Sequence, residues 1–467
     1  MAVNNTIINV KDYGVKGDGK TNDTANLQAA FTSIAALGAT AYIPQGTYLI
    51  SSTITTSVSI SSNGATLKVS ATRFETMMLN IYGSNIIIEG LNFNGNNISN
   101  RGITISANRS NITIRDCEIY GLKQLAGYTT ETLGIHIQSG VTHVWIVGCY
   151  IHNLDATVTG ICRGILANQA GGTADSTNIM ITNNRFEEIS PINDGDGVVI
   201  QDFKGFCYIT VANNYFKRCY KRSIKIQVNG TIITGNLIDN PFLGATKGQI
   251  QPYSGISVYG SYSIITNNNL VGGTYLSGIE IGTLVDVTTH IIATGNSVKF
   301  DAVNADVSGS DCIRAYGAAD SLTISDNILK DGRYGIRLTT NSNGATINGN
   351  ILENMKYPAI LLEGNNGAYP KNATINGNSF VACQHYGIDI TKSTSINSIG
   401  NIGDAAFGLI NPSCLPNLGI AGTAAQRPTT NLYTGLSYFD TSLATNGKPI
   451  WRNKNNNGWV DATGASV

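Results

Sequence analysis

Apolar residues recur two apart in eleven short runs: Ile103/Ile105, Ile135/Ile137, Ile165/Ala167, Val198/Ile200, Ile224/Ile226, Ile256/Val258, Ile279/Ile281, Ile313/Ala315, Ile336/Leu338, Ile360/Leu362 and Ile388/Ile390. Alternation of this kind, rich in β-branched residues, predicts strands buried on one face. A further strand follows each run, marked by an asparagine. Asn184, Asn214, Asn236, Asn268, Asn296, Asn327, Asn350 and Asn378 each sit in the pattern apolar-x-[Gly/Asn/Asp]-Asn-x-apolar, about 22 to 32 residues apart. Positions not used for the alignment also fall into register, such as Ile181, Val211 and Ile233 three before and Phe186, Phe216 and Ile238 two after. The register extends upstream through Cys149, Cys117 and Leu91.

One such coil cannot bury its own apolar face, but coils stacked about 4.8 Å apart make a continuous core. The predicted fold is all-β: a right-handed parallel β-helix of about eleven coils, the hand following the usual handedness of parallel crossovers. The asparagines are predicted to form an inward ladder at one corner, each amide donating to and accepting from its neighbours, at a turn whose left-handed backbone asparagine tolerates. Their expected role is structural.

Residues 1–50 are predicted to cap the helix. Asp23 or Thr24 can cap a short helix whose residues Leu27, Ala30, Phe31, Ile34 and Leu37 share a face, and Gly38 ends it. Such a helix would cover the bare strand edges of the first coil. Residues 51–410 carry the coils. In 411–467 the spacing is lost, Pro412, Pro416 and Pro428 cluster, and GLSYFDTS, KPIWRN and GWVDATG predict a small β module for trimerisation, capping or glycan contact. Trp451 and Trp459 are expected in its core rather than on a sugar.

Composition narrows the partners. With 52 Gly, 10 Pro and 13% charged residues the chain suits tight turns, not long amphipathic helices. Its formal net charge is zero, which gives no bulk attraction to nucleic acid or membrane surfaces. The 8 Cys show no metal-binding spacing and are expected as buried thiols. Met1 to Val10 lacks the pattern of a secretory signal, and no stretch reaches membrane-spanning length; a removed signal or another export route is expected.

The stretch NVKDYGVKGDGKTNDTANLQAAF followed by AYIPQGTYLI resembles the amino-terminal signature of the pectate-lyase-like β-helix superfamily, in particular the branch of phage tailspikes, appendage proteins and polysaccharide depolymerases. The tail resembles carboxy-terminal segments of phage tail fibres and spikes. The resemblance implies a homotrimer, a virion tail or otherwise secreted location, and action on a bacterial surface polysaccharide. It does not choose among hydrolase, lyase and epimerase.

Long insertions at 120–133, 152–163, 187–196, 239–254 and 299–311 leave the coil at one corner, and loops on a rigid scaffold commonly carry function. They are predicted to wall a polar trough along the outward rows of the leading strands. The substrate-binding candidates in that trough are His136, Arg163, Gln201, Arg222, Gln227, Tyr259, Arg314, Tyr316 and Arg337, whose amides, guanidinium groups and rings suit hydroxyls and sugar faces. The catalytic candidates are Asp194, Asp196 and Lys225, with Glu280 and Asp311 as a second carboxylate pair. Glycosidases use two carboxyls roughly 5 to 9.5 Å apart. The order Asp194-Gly-Asp196 then Arg222-x-x-Lys225 is similar to part of the polygalacturonase pattern, but the Asp-Asp and Gly-His-Gly of that family are missing, which argues against that activity. Cleavage of glycosidic bonds is the expected reaction, hydrolysis ahead of elimination by Lys225, Arg222 or His136 acting with Gln227. A non-catalytic adhesin or structural spike is the other class. No cofactor is required; calcium is left open, although the scattered acidic residues define no cage for it.

Overall fold

The computed structural model describes residues 6–156, 160–239, 254–273, 276–283, 287–301, 310–339, 341–364, 368–414, 421–429 and 436–467. The insertions at 152–163, 239–254 and 299–311 therefore lie partly outside the described residues.

Parallel strands stack coil on coil. Among the described residues thirteen strands form one sheet, from Ile54–Thr56 to Ile388–Asp389, and twenty-eight form a second sheet folded into two walls on either side of the asparagine corner. The eleven leading strands pair in the expected register, for example Ile135 with Ile165 and Val198 with Ile224. Two more, Ile54–Thr56 and Phe74–Ile81, precede them, so the stack begins earlier than the alternation showed. Inside, one continuous apolar core runs from Val10 to Cys414.

The asparagine ladder is continuous. Asn268, for instance, donates through Nδ2 to Asn296 Oδ1 (3.0 Å) and to the Ile233 carbonyl (3.0 Å), while its Oδ1 accepts from Asn236 N (3.1 Å) and Nδ2 (2.9 Å). The ladder reaches one rung further than the repeat suggested, to Asn401. Upstream, the Cys149 thiol faces the Ile114 carbonyl (3.6 Å), the same acceptor position that the amides use, which is why a weak donor can replace the amide there. The left-handed residue at this corner is not the ladder asparagine but the one before it: Asn183 (φ 56°), Asn213 (55°), Gly235 (64°) and Asp326 (56°). The [Gly/Asn/Asp] position of the repeat is thus the backbone requirement, and the asparagine is the hydrogen-bonding one.

A column of small residues precedes each buried leading-strand pair: Gly102, Gly134, Gly164 and Gly197, with Ser223, Cys312 and Ala359 in other coils. A Cβ on Gly102 would lie 2.5 Å from the Gly134 carbonyl oxygen and 3.0 Å from Ile119 Cγ2. The small residue points into the core beside its apolar neighbour, and this irregularity turns the preceding side chain outward. Gly102→Val should therefore lower the thermal midpoint by an amount equivalent to about 1–3 kcal/mol of overpacking, whereas Ser223→Gly should change it little.

The amino-terminal helix is Thr24–Ala36, with Leu27, Ala30, Phe31 and Ile34 buried against the first coils. Two details differ from expectation. Asp23 makes no side-chain cap; its carboxylate accepts instead from Lys16 N (2.7 Å) and Gly17 N (2.9 Å), tying down the preceding turn. Leu37 is exposed because the helix has ended there. At the other end Ala421–Gly422, Ser437–Asp440, Lys448–Arg452 and Trp459–Val460 form a separate four-stranded sheet whose small core is Tyr438, Ile450 and Trp459. The eight cysteines are buried. Among the described residues no helix is long and apolar enough to cross a membrane.

Candidate active site

The kink at the small-residue column aims the first side chain of each leading strand outward, and register places Arg163 beside Asp196 and Asp196 beside Arg222 on successive coils. One residue pair further along, Val199 lies beside Lys225, Lys225 beside Ser257, and Ser257 beside Glu280. These rows were expected to form an open trough, and over much of their length they do not. His136, Arg163, Asp196, Arg222, Glu280 and Asp311 are buried, and Leu133, Leu166 and Val199 pack into an apolar cluster of their own on the outward face. The insertions do more than stand beside the sheet: Glu131 and Asp194, from two of them, both pair with Arg163 over the strand starts. Gln201, Tyr259, Arg314, Tyr316, Arg337 and Lys225 are half-buried and Gln227 is exposed. Access is therefore along the later part of the strands.

Asp194, Asp196, Arg163, Arg222 and Lys225 come together. Arg222 Nη1 lies 3.2 Å from Asp194 Oδ1 and 3.6 Å from Asp196 Oδ1, which bounds the separation of these oxygens at about 7 Å, within reach of a glycosidase pair. Asp194 also pairs with Lys221 (3.1 Å) and Arg163 (3.5 Å), and its side chain keeps 28% of its surface. Burial pushes its pKa upward, but Lys225, Lys221 and Arg222 outweigh that and hold it at about 2. Asp196 is the opposite case. Its side chain has no exposed surface, neither oxygen accepts a hydrogen bond among the described residues, and Arg163 Nε is no nearer than 3.8 Å. Burial therefore raises its pKa against the pull of Arg222 and Lys225. Burial likewise lowers the Lys225 ammonium, against the opposing pull of Asp196. Two neighbouring carboxyls pushed in opposite directions are the pattern by which one site supplies both a base and an acid.

Glu280 and Asp311 are not joined in this way. Glu280 accepts from the Tyr259 hydroxyl (2.7 Å) through Oε1, while Oε2 has no hydrogen-bond partner among the described residues. Asp311 is held by Arg333 (3.0 Å) and Arg337 (3.1 Å), with Arg337 also pairing to Glu363. Arg314 lies over the Tyr316 ring at 4.2 Å. His136 binds Asn168 through Nε2 (2.9 Å), and burial holds its pKa down at about 4, so it is neutral near pH 7. Gln201 donates to Asp202 (3.1 Å). The sequence reading did not single out Glu131, Lys221 or Arg333, each of which pairs with a candidate. Lys221 begins the KRSIKIQ run and could have been found by its place beside Arg222; the insertion residue Glu131 carries no periodic signal. Among the described residues no group of three or more His, Cys, Asp and Glu could hold a metal.

The environment of Glu280 yields a pH test. Burial raises its pKa, opposed by the Tyr259 hydrogen bond and Arg222. A carboxyl raised on folding contributes stability that is complete below its ordinary pKa and is lost as pH rises through its higher folded value. Glu280→Gln keeps the Tyr259 bond and removes the titration. Its thermal midpoint should exceed that of the parent at neutral pH, with the difference shrinking as pH falls through the raised folded pKa and levelling off once pH is below the ordinary glutamate value.

Comparison with known proteins agrees with this architecture. A family profile described as rhamnogalacturonase A/epimerase, pectate lyase-like, matches residues 7–225, and one described as right handed beta helix region matches 246–402. The chain is a right-handed parallel β-helix, and the profile matched by its amino-terminal part is a pectate-lyase-like one. It is similar to the pre-neck appendage protein of Bacillus phage phi29, 26% identical over 288 residues, which is 59% of this chain and 27% of that protein. The chain thus matches about a quarter of the length of this curated relative. In fold it is similar to the tailspike of E. coli bacteriophage HK620, solved as a double mutant with a pentasaccharide (TM-score 0.51, 14% identity, 86% of this chain and 78% of that one). The Dettilon tailspike is comparable (TM-score 0.50, 16% identity, 84% and 68%).

Proposed function

We propose that this chain is part of a virion appendage that binds a bacterial surface polysaccharide along the outward face of the thirteen-stranded sheet and hydrolyses its glycosidic bonds. The carrying observation is the Asp194–Asp196 pair, bridged by Arg222 and polarised into one ionised and one pKa-raised carboxyl. In this reading Asp194 serves as base or nucleophile and Asp196 as proton donor. Because Asp196 is sealed, Arg163 and Arg222 turn aside when substrate enters. Tyr259, Gln201, Gln227, Arg314, Tyr316 and Arg337 supply stacking and hydrogen bonds along the open half of the strands. Similarity to phage appendage and tailspike proteins supports the virion setting and a homotrimer.

β-Elimination is the second reading, favoured by one observation. The Lys225 ammonium forms no ion pair or hydrogen bond among the described residues, and burial lowers its pKa, as suits a base for the proton beside a uronate carboxylate. A screen of capsular and O-antigen polysaccharides with mass spectrometry of the products separates the readings. Hydrolysis yields saturated fragments heavier by one water; elimination yields unsaturated uronate ends with ultraviolet absorbance. A polysaccharide that binds and stays intact would make the protein an adhesin and remove both.

A further inference from the structure

The wall of the second sheet that leads into the asparagine corner, on a different face from the candidate active site, begins each coil with a left-handed residue. In four coils that residue is asparagine: Asn85, Asn111, Asn178 and Asn372. At the same register on consecutive coils stand Tyr208 (φ 54°), Gly230 (76°), Tyr262 (56°) and His290 (56°). A bulky aromatic residue in this region is strained, and such strain gathers at ligand clamps. Nothing in the folding of the coil asks for it, since asparagine performs the turn elsewhere.

The rings are on the surface: Tyr208 is 61% and Tyr262 51% exposed. Gly230 leaves a slot between them, and the Phe206 ring occupies it; a Cβ on Gly230 would overlap that ring. Tyr208, Phe206, Tyr262 and His290 then form an aromatic ladder along the helix axis, with successive centroids 5.2, 5.6 and 4.8 Å apart. Beside it, Ile232 and Ile264 face outward, and with Phe206, Tyr208, Tyr262 and Thr210 they line a cleft of about 260 Å³ floored by Gly230 and the buried Thr231; His290 extends the ladder beyond it.

We propose that this cleft is a second glycan site, which takes one or two neutral pyranose rings and anchors the protein to its polysaccharide independently of the candidate active site. A pyranose has an apolar C–H face and a rim of hydroxyls. The exposed rings match the first, and the Thr210 and tyrosine hydroxyls match the second. None of the nine residues lining the cleft is charged, so a uronate or sulfate group would lose its water there without gaining a counter-charge. Nine residues also fall well short of the roughly 20–30 per partner in a stable protein interface. A site on a second face raises the effective concentration of chain at the first.

The test uses the full chain, with maltohexaose, cellohexaose and mannohexaose as neutral probes and hexagalacturonate as the acidic one, read by calorimetry and saturation-transfer NMR. The variant is the double substitution Tyr208→Asn and Tyr262→Asn, which restores the residue other coils use at this turn. At least one neutral hexasaccharide should bind the parent, and the variant should bind it at least about tenfold more weakly, with its thermal midpoint unchanged or raised. Hexagalacturonate affinity should not differ between the two. The proposal is overturned if no neutral probe binds, if the variant binds as the parent does, or if the variant weakens hexagalacturonate instead. Loss of self-association in the variant by sedimentation, with sugar binding unchanged, would reassign the face to contacts between copies of the chain.

Discussion

Asn268→Ala should destabilise the protein by about 3–5 kcal/mol, the largest stability effect expected of a single truncation at the asparagine corner. The side chain removed is an acceptor for two groups of Asn236 and a donor to Asn296 and to the Ile233 carbonyl, all inside the core. Cutting it leaves the Asn236 backbone N–H and the Ile233 carbonyl without these partners where water does not reach, and each buried polar group left unsatisfied costs about 1–3 kcal/mol. Asn268→Asp keeps the acceptor for Asn236 but loses the donors and buries a charge, so it should be at least as damaging. Asn401→Ala provides the control. It is the last rung of the ladder and half-buried, so solvent can replace what it provides, and its effect should stay near 1 kcal/mol. Denaturant midpoints measure the three. Hydrogen exchange should show the Asn268→Ala loss concentrated in the coils holding Asn236, Asn268 and Asn296, since a solenoid couples each coil chiefly to its neighbours.

Asp194→Asn and Asp196→Asn should each lower turnover by about 10²–10⁴-fold, the usual weight of a positioned acid or base. At neutral pH Asp194→Asn should also lower the thermal midpoint, since its ion pairs are lost, whereas Asp196→Asn should leave it unchanged or raised. The two are distinguished by pH. With Asp194 held at about 2, it is ionised throughout the working range and sets no limb of the profile there. If Asp196 gives the proton, activity falls as pH rises through its raised pKa, because the donor is then lost. Asp194→Glu should recover part of the activity while keeping that alkaline limb. Turnover that survives both substitutions would take the chemistry away from this pair.

The fold was legible in the chain because its core residues repeat. Asn184 to Asn378 and the paired strands around them are fixed by local turn and packing needs that recur in each coil, and period-two burial leaves no ambiguity about which side is inward. Position 183 and its equivalents show the limit of that reading: the repeat identified Gly/Asn/Asp correctly, but only backbone angles show that this residue, and not the ladder asparagine, adopts the left-handed turn. The glycine column was also present in the chain, at Gly102, Gly134, Gly164 and Gly197, and is explained only when the next coil's carbonyl is in place.

The outward face was less legible for a physical reason. Whether His136, Leu166, Val199 or Glu280 meets water depends on what the insertions do above it, and insertions carry no period. Alternation therefore identified the outward rows yet could not report that much of them is closed. Pairing by register did bring Asp196 to Arg222 and Val199 to Lys225. It could not bring in Glu131, whose position depends on a loop. The aromatic corner could have been found: Tyr208, Tyr262 and His290 stand three residues before Val211, Ile265 and Ala293, at the one turn where a bulky residue is out of place.

The most direct measurement is a crystal structure of the Asp194→Asn variant with an oligosaccharide from the polysaccharide that the parent cleaves. The glycan should lie along the helix axis on the thirteen-stranded sheet, with Arg163 and Arg222 displaced and the scissile oxygen within hydrogen-bond reach of Asp196. A glycan whose scissile linkage rests on another wall, with the Asp194, Asp196 and Arg222 cluster still closed, would contradict the assignment.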